Sequence, residues 1–95
     1  MTLHLSLYRE FFEAILAGSK KIEYRRRCDR WDKMFAKKWD QVKFINGYGD
    51  HRPWLICDIT GMECDADEWR IHLGDIHSSG NLELLKTSSK SRPSR

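Results

Sequence analysis

The chain has 95 residues, of which 40% are hydrophobic, with four Trp, three Tyr and four Phe, so one domain with a modest core is expected and global disorder is excluded. It lacks an apolar run near the roughly 20 residues that cross a bilayer and an N-terminal signal-peptide pattern, so a soluble, cytoplasmic protein without membrane contact is expected. The net charge of +3 conceals segregation: nine basic residues against three acidic ones lie between Lys20 and Lys38, and four more basic residues with no acid follow from Lys86.

In chain order, Leu3, Leu5 and Leu7 alternate with polar residues and predict a strand. From Tyr8 the apolar spacing becomes helical through Phe11, Phe12, Ile15 and Leu16, and Gly18 stands where such a helix would stop. Ile22 and Tyr24 then alternate with Lys21, Glu23 and Arg25, which predicts a strand burying the first pair and turning the three charges to its other face. The basic and aromatic stretch 26–40, with Trp31, Met34, Phe35, Lys38 and Trp39 at loose helical spacing, reads as a loop with a short helix.

Val42 to Ile45 predicts a further strand, ended by the turn-forming residues Asn46, Gly47, Tyr48, Gly49 and Asp50. The run Trp54 to Ile59 predicts a fourth, closed or bulged at Thr60-Gly61. After an acidic loop with Asp65, Asp67 and Glu68, the alternation of Trp69, Ile71 and Leu73 predicts a fifth strand stopped by Gly74. Leu82 to Leu85 fits a last strand or helix. The domain is expected over 1–85, with 86–95 a disordered basic tail. About five short strands around a helix suggest an α+β fold built on a small closed or partly open barrel.

Three cysteines without CxxC spacing argue against disulfides and a structural zinc site. His4, His51, His72 and His77 have no metal-binding spacing, so neither a metal nor another cofactor is expected; His72 is a weak acid–base candidate. No phosphate-loop, dinucleotide or GxSxG motif is present.

Two patterns carry chemistry. Lys20 and Glu23 suit a held ion pair or a site where lysine acts as base or nucleophile activator, although Lys21, Glu23 and Arg25 also fit a solvated surface ladder. Arg25, Arg26, Arg27 and Arg30 form a guanidinium cluster suited to phosphate. Trp31, Trp39 and Tyr48 interleave with it and suit either base stacking or the core.

The stretch from Gly18 to Arg25, GSKKIEYR, resembles the GxKxxExR signature of the ASCH (activating-signal-cointegrator homology) family, in the PUA-like superfamily of small β-barrels. The resemblance spans roughly residues 3 to 77 and includes "WDQVKFINGYG", "ICDITGME" and "IHLGDI". It implies a PUA-like barrel of about five or six strands with one or two short helices and a cleft beside the motif. Such clefts are proposed to take RNA or nucleotides. Similar proteins are assigned as nucleic-acid hydrolases or, in one bacterial branch, as N4-acetylcytidine amidohydrolases. In that branch the motif lysine, matched by Lys20, is catalytic; its partner threonine falls where this chain has Glu23, and its glutamate has no placed counterpart.

The expected partner is therefore single-stranded RNA or a nucleotide. Lys20, Lys21, Arg25, Arg26, Arg27 and Arg30 are expected on phosphate, Trp31 and Tyr48 on bases, and Glu23 orienting Lys20 or reading a base edge. The alternative is a metal-independent hydrolase of RNA or a modified nucleoside with Lys20 and Glu23 as its catalytic pair. A protein-interaction module using the acidic loop is a third reading. The oligomeric state leaves no signal in the sequence.

Overall fold

A computed structural model describes residues 1–49 and 51–85; the expected tail, and Asp50 of the predicted turn, lie outside them. Its elements are β1 (Thr2–Leu7), α1 (Arg9–Leu16), β2 (Ile22–Arg26), α2 (Asp29–Phe35), β3 (Gln41–Asn46), β4 (Trp54–Cys64) and β5 (Glu68–Gly80). The strands form one curled mixed sheet in the order β1-β3-β4-β5-β2. β1 runs parallel to β3, and the other neighbours are antiparallel. The α+β class is as expected, and the sheet is a half-barrel, open between its edge strands β1 and β2.

Alternation places Leu3, Leu5 and Leu7 of β1 beside Val42, Phe44 and Asn46 of β3, since paired positions share a sheet face. Leu55 and Cys57 of β4 continue that face. With Ile71 and Leu73 of β5 they form one buried cluster, which Phe12 and Ile15 of α1, Phe35 of α2, and Leu85 cover. Burial of apolar surface here is the main stabilising term.

α1 ends at Gly18, whose φ of +86° suits glycine. Ser19 N–H donates to Ala14 O and Gly18 N–H to Ile15 O, both at 3.0 Å, the paired bonds of a Schellman stop. The chain thereby reverses into β2.

One predicted strand end differs. Gly74 does not stop β5, which runs on to Gly80 because its pairing with β4 is renewed after register shifts. Thr60-Gly61 falls within that irregular stretch as a bulge, one of the two readings its sequence offers. Leu82 to Leu85 turns into helix at Glu83.

The larger difference is the face of β2. The expectation that Ile22 and Tyr24 are buried and the charges solvated is reversed for Glu23: Glu23 is 5% exposed and Tyr24 48%. Register explains it, because Glu23 lies opposite the fully buried Ile71 and Arg25 opposite Trp69, while Ile22 and Tyr24 lie opposite His72 and Arg70. Inward-pointing charge on an edge strand also discourages edge-to-edge pairing.

Candidate functional site

A cleft of about 450 Å³ opens at the gap between the edge strands. Its floor includes Glu23 and Arg25 of β2, Ser6 of β1 and Asn46 of β3. Among the described residues, Glu23 and Asn46 are the buried polar side chains, at 5% and 7% exposure, and both line this one cleft. Burying polar groups is costly unless they are paired, so their convergence distinguishes the cleft from ordinary surface.

The pairing is explicit. Arg25 Nε donates to Glu23 Oε2 at 2.9 Å, and Arg25 Nη2 donates to Ser6 O at 2.9 Å, bridging the open seam of the sheet. Lys20 Nζ donates to Ile22 O at 2.7 Å and stands 3.5 Å from Glu23 Oε1. The same ammonium lies over the rings of Phe11 and Tyr24, 5.4 and 5.3 Å from their centroids, within cation–π range. Asn46 Nδ2 donates to Leu7 O at 3.1 Å.

Each letter of the GxKxxExR pattern thus has a physical role. Glycine stops α1, lysine and arginine flank the glutamate, and arginine closes the seam. The surface-ladder reading of these charges does not hold, since Glu23 is buried with a cation on either side. Lys20 and Arg25 outnumber Glu23, so the cluster carries net positive charge and suits a neutral or anionic ligand.

Four large exposed aromatics rim the cleft: Tyr8 at 80%, Phe11 at 41%, Tyr24 at 48% and Tyr48 at 86%. Tyr48 is held out between Gly47 and Gly49, both at φ +97°. Of this rim, the sequence points to Tyr48 alone. Phe11 follows the helical apolar spacing, Tyr24 reads as buried by alternation, and Tyr8 reads as a helix start. Asn46 reads as a turn residue, and Ser6 and Arg9, also lining the cleft, carry no sequence signal.

The remaining predicted site residues are dispersed. Trp31 stacks on Phe35 with centroids 5.2 Å apart and 16° between planes, and the guanidiniums of Arg25 and Arg30 lie over it at 5.2 and 4.7 Å. Its ring is engaged by its own chain, and it is not among the residues lining the cleft. Trp39 packs on the core with its Nε1 donating to Met34 O at 2.9 Å.

Arg27 is held by both oxygens of Asp32 at 3.1 Å and donates to Asp65 O. Asp32 is held below the usual carboxylate range by Arg27 and then by the Trp69 indole N–H. Arg26 and Lys21 are exposed, Lys21 lining a separate small hollow with Lys20 and Asp75. The predicted cluster of four arginines is therefore split, and Arg25 alone of the four lines the cleft.

His72 lies on the outer face, its Nε2 3.1 Å from Glu63 Oε2, so it takes no part in the cleft. Glu63 is lowered from its ordinary pKa by His72 and by Arg70. In the acidic loop, Asp65 is pulled to about 2 by Arg70 and by the N–H groups of Asp67 and Glu68. This loop is therefore a tied hairpin tip, with the carboxylates of Glu63, Asp65 and Glu68 gathered on Arg70.

Among the described residues no group of three or more His, Cys, Asp or Glu converges as metal ligands, and no helix is long and apolar enough to cross a membrane. No family model, curated protein or solved structure matches this chain.

Proposed function

We propose that the protein is an ASCH-type, PUA-like module whose cleft binds a nucleobase, as a free nucleotide or within single-stranded RNA. One observation carries this reading: the two buried polar side chains among the described residues, Glu23 and Asn46, both line one cleft, which four exposed aromatics rim. Its volume of about 450 Å³ falls in the roughly 300–1,000 Å³ range of small-molecule sites. Polar floor and aromatic walls suit a base, which has a hydrogen-bonding edge and two flat faces.

Binding is favoured over hydrolysis by the state of Lys20. Its ammonium is spent on Ile22 O, Glu23 and two rings, and it is not among the residues lining the cleft. It acts as a positioning residue for Glu23.

The test is a calorimetric titration with a short single-stranded RNA of mixed sequence in EDTA, with the RNA afterwards examined for cleavage. Tyr48→Ala, a change at an exposed ring, should weaken binding by roughly five-fold or more, the loss of one stacked base. Binding should also fall as salt rises. Absence of binding, or binding indifferent to Tyr48→Ala and Tyr24→Ala, would remove the reading; cleavage lost in Lys20→Ala would replace it with the hydrolase.

A further inference from the structure

The polar floor has a definite hydrogen-bonding order. A carboxylate offers about four lone-pair positions and a guanidinium five N–H donors. Glu23 meets Arg25 Nε at one oxygen and Lys20 at the other, which leaves acceptor capacity on both. Arg25 uses Nε on Glu23 and Nη2 on Ser6 O, and among the described residues no acceptor takes Nη1. Asn46 donates through Nδ2, and no donor among the described residues reaches its Oδ1.

The capacity left on the lining residues is therefore an acceptor pair on Glu23, a donor at Arg25 Nη1 and an acceptor at Asn46 Oδ1. The Watson–Crick edge of guanine presents the complement, donors at N2 and N1 and an acceptor at O6. Adenine and cytosine each set a lone pair at the central position, against the carboxylate, and uracil has one donor. Like-against-like contacts of this kind leave buried groups unpaired and are the stronger source of discrimination.

Resting on the base-binding reading, we infer that the cleft selects guanine, with Glu23 accepting from N1–H and N2–H and Arg25 Nη1 donating to O6. The aromatic rim then covers the faces of the base. Net positive charge from Lys20 and Arg25 favours a phosphate-bearing ligand, either guanosine monophosphate or a guanine in unpaired RNA.

The experiment is calorimetry on the full chain with guanosine, inosine, adenosine, cytidine and uridine monophosphates. A pentaribonucleotide with one central guanine among uracils, and its all-uracil counterpart, are titrated alongside. Guanosine monophosphate should bind about five- to 150-fold tighter than the adenosine, cytidine and uridine nucleotides, the range for a bidentate base contact. Inosine monophosphate, which lacks only the N2 amine, should lose part of that advantage. In Glu23→Gln the ratio of guanine to adenine affinity should collapse toward one. The inosine comparison uses wild type alone, so it decides the matter even if that variant fails to fold.

Preference for the guanine pentamer over the all-uracil one would assign the base to RNA; preference confined to the mononucleotide would assign it to a free nucleotide. Equal binding of all five nucleotides would overturn guanine selection and leave base binding standing. Binding of none, mononucleotide or RNA, would overturn both.

Discussion

Replacing Glu23 by Ala tests the inward face of β2, on which the whole site depends. The side chain is 7% exposed and has a cation on either side, Arg25 Nε at 2.9 Å and Lys20 Nζ at 3.5 Å. Removing one partner of a fully buried ion pair costs about 3–5 kcal/mol. Here Lys20 and Arg25 keep 18% and 20% of their side-chain surface in solvent, and cleft water reaches the vacated space, so the expected loss is smaller, about 2–3 kcal/mol. For a domain of this size that lowers Tm by roughly 10–20 °C.

Tyr24→Ala should cost under about 1 kcal/mol, because its ring is exposed and contributes mainly a cation–π contact. Adding Arg25→Ala to Glu23→Ala should cost less than the sum of the two single changes, by about 1–3 kcal/mol, since they share one interaction. Urea unfolding followed by tryptophan fluorescence reads each of these proteins. The opposite order refutes the reasoning: a Glu23→Ala effect within about 0.5 kcal/mol and a Tyr24→Ala loss of about 3–5 kcal/mol, as for a core aromatic, would mean that β2 is turned the other way.

Two further outcomes are expected. Cys28 and Cys64 are exposed, whereas burial raises the Cys57 thiol to about 11; a thiol reagent at pH 8 should label two cysteines quickly and the third only on unfolding, and three fast thiols would contradict the packing of β4. Asp65 is held at about 2, below its ordinary 3.8, first by Arg70 and then by backbone N–H groups. The unfolded chain therefore takes up this proton more readily, and the stabilisation is complete above about pH 4 and lost as pH falls through about 2. Asp65→Asn should flatten the fall of the urea midpoint across that window, and an unchanged slope would count against the Arg70 cluster.

Much of the fold can be read in local pattern. The alternation of Leu3, Leu5 and Leu7, the spacing from Phe11 to Leu16, and the glycine at 18 specify β1, α1 and the stop between α1 and β2, because each depends on residues within a few positions of one another. Three residues of the glutamate-centred motif, Glu23, Tyr24 and Arg25, line the candidate cleft. Its working arrangement is a tertiary matter. The two apolar residues of Ile22–Arg26 share one face of β2 and locally favour burying it, and pairing of Glu23 with Ile71 across β5 overrides that preference. Trp31 and Tyr48 are both aromatics near arginines in sequence, yet Phe35 and two guanidiniums engage the first, while flanking glycines hold the second out at the cleft. Asn46 and Ser6 join the site only because the β1–β3 pairing and the open seam bring strands from distant parts of the chain to one point. Which segments become strands and helices follows from short-range periodicity, and where charge concentrates follows from local composition, so both are legible in the chain. Which face of β2 turns inward and which aromatics rim the cleft depend on neighbours supplied from far along the chain, so packing settles them.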